Sequence, residues 1–174
     1  CCKDGSIRHV LVDSNVSWRN GEFLHTRCFT RDVTESIQVE TLRRESEERL
    51  QAILDNAQAV IYLKDKQGRY LLINRRYEEV FNLDRDQVKG KTDRDIFPQE
   101  IADLFQANDR QVFETEEPLE WEEVAPQEDG LHTYLSLKFP LFDSSGSVYG
   151  MCGISTDITD RKQTEEDLRQ SEQK

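Results

Sequence analysis

Little in these 174 residues would interrupt or cross-link a fold: proline occurs four times, glycine eight times, cysteine four times and methionine once. So little proline, beside 36% hydrophobic and 33% charged residues, excludes a purely disordered tail and leaves material for one core of ordinary size and a fragment of a second. Cys1, Cys2, Cys28 and Cys152 have neither the spacing of a disulfide framework nor a C-x-x-C clamp. A reducing compartment is therefore expected, with Cys28 and Cys152 as packed thiols. An excess of positive charge is also missing. With 35 acidic against 23 basic side chains, the formal net charge of -12 repels a phosphate backbone, so nucleic acid is not an expected partner. The longest aliphatic or aromatic run, Ala59 to Leu63, is far shorter than the ~20 residues that span a bilayer. Neither a transmembrane segment nor a signal peptide is read, and no direct membrane contact is expected. A start at Cys-Cys-Lys-Asp-Gly in place of an initiator methionine, with a strand-like segment next, reads as a piece of a longer polypeptide.

Catalytic signatures are absent too: there is no hydrolytic motif, Gly-rich phosphate loop, H-E-x-x-H or kinase acceptor-histidine segment, so the expectation is a regulatory piece and not an enzyme. The acidic run Glu114, Glu116, Glu117, Glu120, Glu122, Glu123, Glu128 and Asp129 lacks the Asp-x-Asp-x-Asp-Gly loop of a hard-cation site. It reads as a solvated strand edge, where charge blocks edge-to-edge pairing, and no metal site is expected.

What is present is a repeat. Residues 3 to 49 align without a gap on residues 128 to 174 at an offset of 125, with ten identities where chance gives roughly three. They include Asp4 with Asp129, Gly5 with Gly130, Gly21 with Gly146, Asp32 with Asp157 and Thr34 with Thr159. Asp-Gly and the later Gly are turn formers, while Asp-x-Thr stands where a strand would hand over to a helix. The period is domain-sized, so residues 1 to 34 read as the last hairpin of one domain and residues 57 to 159 as the whole of the next.

Between the copies, residues 35 to 56 have no glycine or proline and are rich in Glu, Arg and Gln, which predicts a helix that Thr34 can cap. Leu42, Leu50, Ile53 and Ala57 share one thin face, suited to a marginal two-stranded coiled coil between chains; a solvated connector without a partner is the alternative. A second helix starts at residue 160. In the complete copy, strands are expected at Ala59 to Lys64, Arg69 to Asn74, Leu119 to Val124, Leu131 to Phe142 and Val148 to Thr156, and helices at 75 to 82 and 98 to 113. A turn and short helical segment is expected at Gly90 to Pro98. In the long strand Leu135, Leu137, Phe139 and Leu141 alternate with Tyr134, Ser136 and Lys138, which predicts one buried face. The result is an α+β domain, β-β-α-α-α-β-β-β, with an antiparallel sheet and its helices on one side.

Four segments carry a family resemblance: Ile53-Leu54-Asp55-Asn56-Ala57, the hairpin ending Tyr70-Leu71-Leu72-Ile73-Asn74-Arg75-Arg76-Tyr77-Glu78, Gly90-Lys91-Thr92-Asp93, and Gly153-Ile154-Ser155-Thr156-Asp157-Ile158-Thr159-Asp160-Arg161-Lys162. In their order and spacing, residues 48 to 160 resemble a PAS domain with its PAC motif, and residues 1 to 34 resemble only the PAC portion of a preceding one. The resemblance implies a five-stranded antiparallel sheet with helices on one face around a small cavity, flanked by signalling helices. It further implies a cytoplasmic sensor module of a bacterial signalling protein, most often a sensor histidine kinase of a two-component system or a cyclic-dinucleotide enzyme. The partners it implies are upstream and downstream domains of the same chain, a second copy paired through the helices at Leu42, Leu50 and Ile53, and a small molecule in the cavity.

Within this resemblance Asp157 and Thr159, repeated by Asp32 and Thr34, couple sheet to output helix, with plain helix capping as the bland alternative. Trp121, Leu135, Leu137 and Phe105 are candidate cavity residues. Haem is argued against because residues 98 to 113 hold no histidine, and a covalent flavin because no Asn-Cys-Arg-Phe-Leu-Gln type helix occurs. His9, His25 and His132 read as satisfied structural histidines. Three functions stay open: signal relay, ligand sensing, and dimerisation without input.

Overall fold

A computed structural model describes Gly5 and residues 7–172; Cys1, Cys2 and Asp4, which figure in the readings above, lie outside the described residues. The chain forms two compact units, residues 1–50 and 51–174.

The first unit is a hairpin of β1 (Val10–Arg19) and β2 (Glu22–Asp32), antiparallel, followed by the start of α1 (Thr34–Asp55). Asn20 and Gly21, both at positive φ, make the two-residue turn whose twist suits paired strands. Helix α1 buries none of its residues; along it Arg43 bridges Glu40 and Glu47 one turn to either side. Cys28 is exposed on β2, correcting the expectation of a packed thiol, and His9 and His25 are exposed as well.

The second unit runs β3 (Val60–Asp65), β4 (Tyr70–Ile73), α2 (Arg75–Phe81), α3 (Arg85–Val88), α4 (Asp93–Ile96), α5 (Gln99–Thr115), β5 (Leu119–Gln127), β6 (Gly130–Phe142), β7 (Val148–Asp157) and α6 (Thr159–Glu172). The five strands form one antiparallel sheet in the order β4-β3-β7-β6-β5. The single turn α3 was not expected: four residues are too few to show a period, although Asp84 caps it by accepting the Asp86 N–H at 2.8 Å.

Asn74 pins the entry to the core. Fully buried, it accepts the N–H groups of Ile61 and Tyr77 and donates to the carbonyls of Leu54 and Ala59, which exhausts both ends of its amide and ties α1, β3 and α2 together.

The long strand β6 is amphipathic in the opposite sense to its composition. Tyr134, Ser136 and Lys138 are buried on the face toward the helices, whereas Leu137 is 38% exposed and Leu135, Phe139 and Leu141 are half-buried on the other. The register carries the helix-facing side across the sheet: Ser136 lies opposite Ser155 and Trp121, Lys138 opposite Gly153, and Gly153 opposite Tyr62. A side chain on Gly153 would collide with Tyr62, whose ring lies 2.2 Å from where its Cβ would stand. The absent side chain there is what lets the tyrosine lie down over the sheet.

Candidate functional site: a buried ionic core and a strand-to-helix handover

Two lysines enter the core from the sheet. Lys64 ends the alternation Val60, Tyr62, Lys64 on β3; its ammonium bonds both oxygens of Asp93 at 2.7 and 2.6 Å and Oδ2 of Asp109 at 2.7 Å. Lys138 donates to Asp109 Oδ1 at 2.8 Å and Glu123 Oε1 at 2.7 Å, and the Asn108 amide donates to the same Glu123 oxygen. A phenol chain closes the network: Tyr77 donates to Tyr70 at 2.9 Å and Tyr70 to Asp93 at 2.6 Å. Lys64, Lys138 and Asp93 are at most 1% exposed, so these charges can exist there only as a mutually satisfied set. Burial pushes the Asp109 carboxyl up, but the Lys64 and Lys138 ammoniums overcome it and hold the group below its ordinary value; burial likewise opposes the Lys138 charge, and Asp109 and Glu123 overcome it. Burial, together with nearby negative charge, raises Tyr62 and Tyr70 well above the usual phenol value, so both stay neutral.

Beside this network lies a cavity of about 30 Å³, lined among others by Tyr62, Tyr77, Phe81, Phe105, Glu123 and Ser136. That is room for on the order of one or two water molecules. Of the four candidate cavity residues, Phe105 lines it. Trp121 stands on the same face of the sheet with its ring 5.7 Å from the Lys138 ammonium, but is not part of the lining. Leu135 and Leu137 do not reach the cavity: the pleat sends them to the opposite face, since the polar partners of the alternation took the inner one. The acidic run is likewise not all solvated edge, because Glu123 is 92% buried and serves Lys138. Cys152 is buried and pushed up to about 11 by burial, which keeps it an unreactive thiol at neutral pH.

At the far end of β7, Asp157 Oδ1 accepts the N–H and the hydroxyl of Thr159, while Thr159 Oγ1 accepts the Thr133 N–H from β6 and the Ile158 N–H bonds the Thr133 carbonyl. The expectation that the threonine hydroxyl would cap the helix start is thereby corrected: the aspartate caps, and the threonine ties the helix to the sheet. The first unit builds the same joint. Asp32 Oδ1 accepts the Thr34 N–H, Thr34 Oγ1 accepts the His9 N–H, and the Val33 N–H bonds the His9 carbonyl. Both ladders also slip by one residue beside their turns, leaving out Leu24 and Tyr149. The spatial offset is 125 after the turn and 124 before it, because the second turn is one residue longer; the gapless alignment therefore misplaces the first strand by one.

The two joints differ in one cation. Arg8 pairs with Asp32 at 2.9 Å, whereas Asp157 faces His132 Nδ1 at 2.7 Å, and His132 Nε2 faces Asp129 at 2.9 Å. Two carboxylates on two ring nitrogens suit an imidazolium that donates to both, and Asp157 above all, then Asp129, raise the His132 pKa above 6.5. The pair's stability contribution is fully present below about pH 6.5 and lost as pH rises through the raised value; Asp157, held low, keeps its share down through its ordinary 3.8. A urea titration of the chain at pH 5.5 and 8.5 is expected to show stability falling with pH over that window, and His132→Gln is expected to flatten the fall. An unchanged slope in the variant would contradict the assignment.

Lys64, Asp109, Lys138, Tyr70 and Tyr77 were not singled out from the sequence as site residues. The signal was present: a lysine on a β3 or β6 position that alternates with hydrophobic neighbours needs a buried carboxylate if the strand is central. Leu42, Leu50 and Ile53 are all exposed on α1. No group of three His, Cys, Asp or Glu side chains placed to hold a metal ion occurs among the described residues. None of the described helices is long and apolar enough to cross a membrane.

Comparisons with known proteins agree with this geometry. A family model described as PAS fold matches residues 54–163. The methanogenesis regulatory histidine kinase FilI of Methanothrix harundinacea is 37% identical over 119 residues, 68% of this chain and 13% of that protein. A diguanylate cyclase of Vibrio cholerae is 32% identical over 121 residues, 68% of this chain and 38% of that protein. The chain thus spans well under half the length of either. Among solved structures, a Vibrio cholerae VqmA–ligand–DNA complex superposes with a TM-score of 0.59 at 27% identity, covering 65% of this chain and 51% of the other.

Proposed function

The chain belongs to the PAS family, and from that premise we propose that it is the sensory and signal-relay segment of a multidomain bacterial signalling protein, a sensor histidine kinase before a cyclic-dinucleotide enzyme. In this reading residues 1–34 are the PAC portion of a preceding PAS domain, 35–56 a connecting helix, 57–159 the complete domain and 160–174 the start of an output helix. The segment is regulatory, cytoplasmic and without catalysis of its own. Supporting it are relatives in both enzyme classes and, above all, one observation: the same Asp-x-Thr joint couples a hairpin to a departing helix in both units. A bias in the sheet shifts Thr133 or Asp157 and so the base of α6. Asp157, Thr159, Asp32 and Thr34 are the relay residues.

Relay through helices works best between two copies, and Leu42, Leu50 and Ile53, exposed on one face of α1, suit a parallel pair of helices. Light scattering is expected to give twice the chain mass for the wild type and a single chain for the variant carrying Leu42→Asp and Leu50→Asp. Equal masses for the two would remove the paired-helix reading.

A second reading, ligand sensing, is favoured by the cavity next to the ionic core and by the ligand named for the VqmA complex. Dimerisation without input has no comparable observation behind it.

A further inference from the structure

We propose that His132 makes the second handover a proton-operated lock: protonated, its ring fastens Asp157, and with it the base of α6, to β6 and to the β5–β6 turn, and loss of the proton releases that hold. This rests on the relay reading and names its regulation.

Three features converge on it. The first is the internal copy of the joint. In both units the aspartate divides its carboxylate in the same way. Oδ1 accepts the N–H of the threonine that begins the helix, and Oδ2 takes the side chain one residue before the one whose N–H that threonine accepts. That side chain is Arg8 in the first unit, at 2.9 Å, and His132 in the second, at 2.7 Å. A guanidinium keeps its charge throughout the range in which proteins stay folded, whereas an imidazole changes its charge near neutrality. One joint therefore holds a fixed cation where its copy holds a switchable one.

The second is the geometry of the ring. Nδ1 stands 2.7 Å from Asp157 Oδ2 and Nε2 stands 2.9 Å from Asp129 Oδ1, so both nitrogens face acceptors. Only the imidazolium carries the two N–H groups that this requires; a neutral ring turns a lone pair on one carboxylate at hydrogen-bond distance, a repulsive contact that cannot persist. Asp129, with 73% of its side chain exposed on the turn, is the partner free to leave, because Asp157 is held by the N–H and the hydroxyl of Thr159. Deprotonation thus detaches the turn and leaves Asp157 a neutral hydrogen bond in place of an ion pair.

The third is what surrounds the ring. The charged groups that bear on it are Asp157 of β7 and Asp129 of the turn, and both favour the proton. From β5, Gln127 brings only an amide, 3.4 Å from Asp157 Oδ2, while Glu128 accepts the Asn82 amide and Glu122 engages Lys162 of α6. Among the described residues the ion pairs of Asp157 and Asp129 are with His132 alone. With 20% of its side chain exposed, the ring exchanges its proton with solvent. The lock is closed below the raised pKa of His132 and opens as pH rises through it.

The test is amide hydrogen exchange, followed by NMR on the 174-residue chain between pH 5.5 and 8.5 and corrected for the intrinsic rise of exchange with pH. Protection of the Thr133 and Thr159 amides, taken relative to the Ile61 amide held by Asn74, is expected to fall several-fold as the His132 ring titrates. A role confined to global stability would move all three amides together. His132→Arg, which installs the cation of the first joint, is expected to keep protection at its acid level throughout, and His132→Gln at its alkaline level throughout. Flat relative protection in the wild type, or a His132→Arg profile that follows the wild type, overturns the proposal. The relay reading fails separately, when Asp157→Ala and Thr159→Ala leave the output of the parent unchanged; the exchange experiment, made on the chain itself, decides the lock in either case.

Discussion

Lys64→Met is expected to destabilise the second unit by about 3–5 kcal/mol, read as a lower urea midpoint at unchanged slope. The side chain is only 1% exposed and bonds both oxygens of Asp93 as well as one of Asp109. Methionine fills a comparable volume, so little of the loss comes from a void. What remains is two carboxylates in a dry interior with one fewer ammonium between them, and Asp93 keeps only the Tyr70 hydroxyl. Taking out one member of a buried ionic set costs far more than the set contributes as a whole, because the survivors stay desolvated. The charge excess sharpens the effect, since the core already holds three carboxylates to two lysines. A loss below about 1 kcal/mol, the range of an exposed pair, would mean that the network is solvated and that its role in the core is wrong.

Much of the architecture is legible in the chain. The Asp-Gly and Gly turns, the glycine-free helix and the alternating strands place nearly every element, because each depends on neighbours in sequence. The interior is not legible in the same way. On β6 the leucines and the phenylalanine alternate with Tyr134, Ser136 and Lys138, and apolar periodicity assigns the first set to the core. The structure assigns the second, because Asp109 on α5 and Glu123 on β5 meet Lys138 there. Partners 29 and 15 residues away leave no trace in a local window. Glu123 is hidden for the same reason among seven other acidic residues. The handover lies between these cases. Asp157 and Thr159 announce themselves by repetition, but the roles of their atoms depend on Thr133 across the sheet, and the exchange of Arg8 for His132 emerges only once the one-residue slip before the turn is corrected.

That handover is also where function would be decided. Asp157 caps α6 and receives His132, and Thr159 fastens the first turn of α6 to the Thr133 N–H. Removing either side chain costs ~1 kcal/mol of local stability, well short of unfolding the domain. A joint that only caps would therefore leave output untouched, whereas a joint that carries a bias would uncouple the helix from the sheet. Allosteric couplings of about 1–3 kcal/mol correspond to roughly 5- to 150-fold changes. The most direct measurement is the output activity of the full-length parent carrying Asp157→Ala or Thr159→Ala, with circular dichroism confirming the fold. A shift of at least about fivefold in basal or stimulated output, in both variants, is the expected result. Wild-type regulation in both would contradict the relay and leave Asp157 as a helix cap and Thr159 as a structural tie between helix and sheet.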